Sequence, residues 1–148
     1  MKKLTLKLSI NIIIIFLSSS IVCAQSDKPY TEGPLWQVQF IQTKAGMGDL
    51  YLKNLSEGWI KSMRAAKEQG LILDFKVLEG QPASENDWNL MLMYQLKNYA
   101  MLDGMSDKMD AIGRKIFGGE ETQQKQAVSR NDLRELHGGK LTQELQFK

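Results

Sequence analysis

Between residues 35 and 96 the apolar pattern changes period, and that change confines the chain to a mixed α+β fold. Over 35–43 the residues alternate, with Trp36, Val38 and Phe40 on one side and Gln37 and Gln39 on the other, the period of a strand. Residues 44–48 form a glycine-containing turn, and Asp49 stands where a helix N-cap belongs. Leu52, Leu55, Trp59, Met63 and Ala66 then recur at steps of three and four, one face of a helix that Gly70 is placed to end. Alternation returns over 71–78, with Leu71, Leu73, Phe75 and Val77 in phase. A polar loop over 79–87 separates it from a third strand, 88–96, whose Trp88, Leu90, Leu92, Tyr94 and Leu96 share one face.

The second half repeats the logic. Asn98 is placed to cap a helix with the stripe Leu102, Met105, Met109, Ile112 and Ile116, which Gly118 and Gly119 close. Residues 120–131 are rich in Glu, Gln and Lys and read as a polar surface helix. Leu133 to His137, a break at Gly138 and Gly139, and Leu141, Leu145 and Phe147 in even register make a last strand. The order β-α-β-β-α-(α)-β is a ferredoxin-like split βαβ, an antiparallel sheet with its helices on one face. Its other face would then carry Gln37, Gln39, Asn89, Met91, Met93 and Gln95. That mixture is too polar for a packed core and too rich in methionine for a wholly wet surface, so a two-fold homodimer is the expected partner arrangement.

The first residues carry a different message. Lys2, Lys3 and Lys7 precede an apolar run over 10–17 that only Asn11 interrupts, and Val22, Cys23 and Ala24 form a small-residue cleavage site. The run is well short of the roughly 20 residues a membrane span needs. The expected organisation is a signal peptide over 1–24, a leader over 25–34 and one α+β domain over 35–148, exported to the periplasm or secreted. Lipidation at Cys23 is the rival reading, and Val22 fits it poorly.

Cleavage would remove three lysines and no acid. The 19 Lys and Arg of the whole chain become 16 against 17 Asp and Glu, so a net charge of +2 becomes −1. A basic surface for nucleic acid is therefore not expected. The single cysteine, Cys23, leaves with the signal, which excludes disulfides, thiolate catalysis and cysteine metal ligands from the mature chain.

The long first helix, the Trp-bearing first strand, the third strand opening with Asp87 and Trp88, and the run Leu96-Lys97-Asn98-Tyr99-Ala100 before the second helix resemble the dimeric α+β barrel superfamily. The likeness spans roughly residues 35–117. It implies two sheets facing each other in a homodimer. Relatives include antibiotic-biosynthesis-monooxygenase-like enzymes that need no cofactor, haem-degrading enzymes and stress-responsive proteins. The haem degraders rely on a His–Trp–Asn set with the histidine in the second helix. Here the sole histidine, His137, falls near the C-terminus, so that role does not carry over.

Candidate ligand-binding residues are Trp36, Trp59, Trp88, Tyr94 and His137. Aromatic walls suit a flat ligand, although ordinary core packing accounts for all three tryptophans and is the stronger reading. A lone histidine lacks the partner that would orient a general base. Asp103, Asp107 and Asp110 share a helix face at steps of four and three, the spacing of a solvated stripe. No metal or cofactor site is expected, and no catalytic residue is assigned. The leading expectation is an exported small-ligand-binding or accessory protein. The alternatives are a cofactor-independent monooxygenase acting on a small aromatic or quinol-like substrate, and a structural protein without ligand.

The signal reading has a direct check. Mass analysis of the exported protein is expected to find a chain beginning at Gln25, cyclised or not. A lipid-modified Cys23 or a retained Met1 would contradict it.

Overall fold

The computed structural model describes residues 28–148. The signal stretch, its cleavage site after Ala24 and Cys23 lie outside the described residues. The sheet is built on β1 (Tyr30–Thr43), and the helical layer begins with α1 (Gly48–Leu55), which passes through a π-helical turn (Ser56–Ile60) into α2 (Lys61–Glu68). Then come β2 (Asp74–Glu79), β3 (Leu90–Leu96), a 3-10 turn (Tyr99–Leu102), α3 (Met105–Phe117), α4 (Glu120–Leu133) and β4 (Arg134–Phe147). The strands lie in the order β2-β3-β1-β4, with every neighbouring pair antiparallel. This is the ferredoxin-like split βαβ.

Strand β1 starts at Tyr30, inside the stretch expected to be leader. Its extension pairs with β4 alone, Tyr30 opposite Phe147, and their rings meet edge-on at 6.0 Å. Pro34 has no N–H for a ladder, and it falls where the β1–β4 register shifts between Glu32 and Leu35. Such a partner, far away in sequence, leaves no mark on local periodicity.

Register decides which face is which. Leu35, Gln37, Gln39 and Ile41 stand opposite Leu96, Tyr94, Leu92 and Leu90, whereas Trp36, Val38 and Phe40 stand opposite Gln95, Met93 and Met91. The first set faces the helices: Leu35 joins Met63, Ala66, Leu96 and Ile112, and Ile41 joins Tyr51, Leu55, Leu90 and Leu133. The expected orientation of β1 is therefore reversed. Trp36, Val38 and Phe40 lie on the open face with Met91, Met93 and Gln95, and Gln37 and Gln39 lie beneath the helices. Alternation groups residues by face but cannot say which face is inward when both carry apolar side chains. Val38 is still only 7% exposed, because it sits on a central strand between Met93 and Lys140.

The first helix buries Tyr51 in place of the expected Leu52, which is 37% exposed. The inward residues Tyr51, Leu55, Trp59 and Met63 follow one another by four. In an α-helix each such step overshoots a full turn by about 40°. The wider π turn takes back part of that drift and keeps one face against the sheet. Gly70 has positive φ just past the helix, as expected. Strand β2 begins at Asp74, later than expected, because the chain is still turning: Gly70 N–H donates to Lys67 and Leu71 N–H to Ala66. Ile72 is buried there while Leu73 points out.

Trp88 and Asn89 precede β3 and are not part of it. The Asn89 side chain instead clamps Thr43, accepting from its N–H and donating to its hydroxyl, both at 2.8 Å. Asn98 opens the short 3-10 turn and does not cap α3, so Leu102 leaves the expected stripe while Met105 and Ile112 stay buried. Residues 120–133 form α4, and Leu133 packs into the core as its last residue.

The expected break at Gly138 and Gly139 is a bulge within one 14-residue strand, marked by the register shift between Gln39 and Ile41. Gly138 has φ +86°, and a Cβ on Gly139 would lie 2.6 Å from the Val38 carbonyl oxygen. Gly139→Ala is thus expected to push β4 off β1 and cost roughly 1–3 kcal/mol, as overpacking does. Lys61→Ala, on the exposed side of α2, should stay within about 0.5 kcal/mol. Urea denaturation checks both; equal stability for the two variants would mean that β4 does not approach β1 this closely.

Candidate functional site

Between the helices and the sheet lies a cavity of about 250 Å³. Gln39 of β1 and Leu92 of β3 form its floor, and Trp59 and Met63 one wall. Met109 and Phe117 of α3 face it, and Arg130 of α4 and Arg134 of β4 line one end. One local feature leaves room. Gly58, in the π turn, has no heavy atom within 4 Å of where a Cβ would stand. A Cβ on Gly113, in α3, would stand 2.6 Å from Gln123 Oε1, so the Gln123 side chain of α4 lies against the glycine.

The polar end is built from α4 and β4, which join without a loop. The Arg134 Nη1–H donates to Tyr51 Oη at 2.8 Å, and the guanidinium carbon lies 5.5 Å from the Tyr51 ring centroid. Arg134 Nε is buried and has no hydrogen-bond partner among the described residues. Neither Arg130 nor Arg134 forms an ion pair among the described residues. Asp110 lines the same cavity from its exposed rim without reaching either of them. Burial, and then the nearby Arg134 charge, lower the Arg130 pKa. Burial raises the Tyr51 phenol, partly offset by Arg134. An arginine keeps its charge under such conditions, so the cavity holds two fixed cations beside apolar walls.

The five residues named from the sequence do not form one site. Trp59 lines the cavity, with its ring edge-on to Phe75 at 5.7 Å. Tyr94 is on the same side of the sheet but packs against the cluster around Leu35 and Leu96, where burial raises its pKa. Trp36 lies on the open face, donating from Nε1 to Glu144 at 3.3 Å, with the Lys76 ammonium 5.2 Å from its ring centroid. Trp88 stacks at a tilt on Phe40 of that face, 5.2 Å between centroids. His137 Nε2 lies 2.9 Å from Gln42 Oε1 near the same end.

The residues missed are Gln39, Tyr51, Arg130 and Arg134. The alternation of β1 puts Gln39 on the open face, and the phase of the first helix hides Tyr51. Arg130 falls in the segment expected to be a polar surface helix and Arg134 in the expected last strand, so neither stands out. Only their spacing of four across the helix end was there to find. Among the described residues no cluster of three or more His, Cys, Asp or Glu is placed to hold a metal ion, and no helix is long and apolar enough to cross a membrane.

No family model and no curated protein matches this chain. Among solved structures it is similar to a dimeric protein of unknown function and ferredoxin-like fold from Bacteroides fragilis NCTC 9343. The identity is 11% and the TM-score 0.43, over 80% of this chain and all of that one. The fold assigned here stands on the strand order and connectivity of the sheet itself.

The open space at Gly58 has a measurable consequence. Glycine inside a helix costs about 0.5–1 kcal/mol relative to alanine. With nothing for a methyl to meet, Gly58→Ala is expected to gain about that much in urea denaturation. A loss would mean that the cavity wall is closed at this point.

Proposed function

We propose that this protein is an exported small-ligand-binding protein of the dimeric α+β barrel type, acting in the periplasm or outside the cell. The observation that carries the binding reading is the cavity itself: a half-open cleft between helices and sheet, with apolar walls and polar groups converging at one end. That is the ordinary composition of a small-molecule site. Native mass spectrometry of the protein purified from its own compartment tests it. A co-purifying small molecule that Gly58→Leu abolishes is the expected result. Oxygen-dependent turnover of a quinol without added metal or flavin would replace this reading with the oxygenase one.

The open sheet face favours a homodimer as the working form. It carries Trp36, Val38, Phe40, Met91 and Met93, with Leu78 beside Met91 and Trp88 on Phe40. This face is more aromatic than the sequence pattern promised, and contiguous apolar surface of this kind marks an interaction site. Its charges are mixed in sign, Lys76 and Lys140 against Glu144. Two copies related by a two-fold axis can therefore match cation to anion.

Sedimentation velocity at tens of micromolar is expected to give a dimer, and Met91→Lys a folded monomer with unchanged circular dichroism. An unpaired charge among Phe40 and Leu78 of the interface would cost several kcal/mol. A monomeric wild type, or a Met91→Lys dimer, would remove this arrangement.

A further inference from the structure

We infer that the cavity ligand is a small monocarboxylate with an aromatic or branched apolar body, its carboxylate held by Arg134 and Arg130. The inference rests on the binding reading above and adds the ligand's charge and shape. Three observations carry it.

The charge balance comes first. Arg130 and Arg134 bring two positive charges to the cavity and Asp110 one negative, while its other polar lining groups, among them Gln39, Ser62, Gln123 and Gln126, are neutral. One negative charge is what the lining lacks.

The second observation is the geometry of Arg134. Its Nη1 is engaged by Tyr51, which holds the guanidinium in place, while the buried Nε has no acceptor. The other terminal nitrogen, Nη2, makes no hydrogen bond among the described residues and is left to donate to a carboxylate. Burial and the proximity of Arg134 both press on the Arg130 charge, in keeping with a site short of an anion.

The third is the rest of the surface. Trp59, Met63, Leu92, Met109 and Phe117 offer apolar walls and no further cation, so the remainder of the ligand is uncharged and apolar. The volume, about 250 Å³, falls just below the roughly 300–1,000 Å³ of ordinary small-molecule pockets and selects a compact body.

Calorimetric titration of the purified protein with benzoate and 1-naphthoate, each against its neutral amide, tests this. At least one acid is expected to bind about tenfold or more tightly than its amide, since charge-assisted hydrogen bonds are the stronger kind. Arg134→Gln should erase that preference. Arg130→Gln should reduce it, and this variant decides the matter if circular dichroism shows Arg134→Gln to be unfolded. Gly58→Leu should abolish binding of acid and amide alike. Equal affinity for acid and amide, or a preference that survives the arginine substitutions, overturns the monocarboxylate inference while the binding reading stands. Failure of every probe to bind, or binding that Gly58→Leu leaves intact, overturns both.

Discussion

The pairing of β1 with β4 is the contact on which the rest of the structure depends. It joins segments from opposite ends of the domain; Trp36 and Glu144, bonded across it, are 108 residues apart in sequence. Closing so long a loop costs entropy that only the finished ladder and the packing on it offset. Once formed, the pairing makes β1 a central strand, flanked by β3 over Leu35–Ile41 and by β4 along nearly its whole length. It also anchors the end of α4, because helix and strand are continuous and Lys44 N–H donates to the Leu133 carbonyl at 3.0 Å. Arg130 and Arg134 stand on either side of that anchor. The cavity's polar end is thus a consequence of where β4 must begin.

Both faces of the sheet are apolar in the middle, but they differ in kind. The helix side is aliphatic, with Leu35, Ile41, Leu90, Leu92 and Leu96 almost fully buried. The open side is aromatic and methionine-rich, and its polar neighbours meet its rings: Lys76 over Trp36, Glu144 at the indole N–H. Flat rings and flexible thioethers adapt to a second surface more readily than branched aliphatics do, and they retain ordered contacts while half-exposed. The charged cavity lies across the sheet from this face. The proposed pairing through one face and binding under the other would make separate demands on β1, met by its even and odd residues in turn.

A partly buried pair of arginines without acidic partners is an expensive thing for a small domain to keep. Leaving a buried donor unsatisfied costs about 1–3 kcal/mol. Some of this is offset locally, since Arg130 lies in the last turn of α4, where the helix dipole favours a cation, and Arg134 is bonded to Tyr51. Gly58 and the π turn act in the same direction from the opposite wall, leaving space where an ordinary helix would place a side chain. Two unrelated elements each depart from the most stable choice at the same cavity, as functional sites commonly do.

Local periodicity determined the element types and order, and with them the split βαβ topology, because strand and helix impose different repeats on the same side chains. It also grouped most strand residues by face: Leu90, Leu92, Tyr94 and Leu96 of β3 share the helix side, whereas Trp88, in phase with them, stacks on Phe40 of the open face. It could not choose the inward face of β1, where Trp36, Val38 and Phe40 compete with Leu35 and Ile41, since that choice belongs to the register with β3. Nor could it see that Tyr51 leads the first helix, because the π turn shifts phase within a stripe that reads as regular. The candidate site was legible only at Trp59. Arg130 and Arg134 look like surface charge in any local window. Their burial is decided by the strand that follows them folding back onto β1, and a pairing between distant segments leaves no trace in the periodicity of either one.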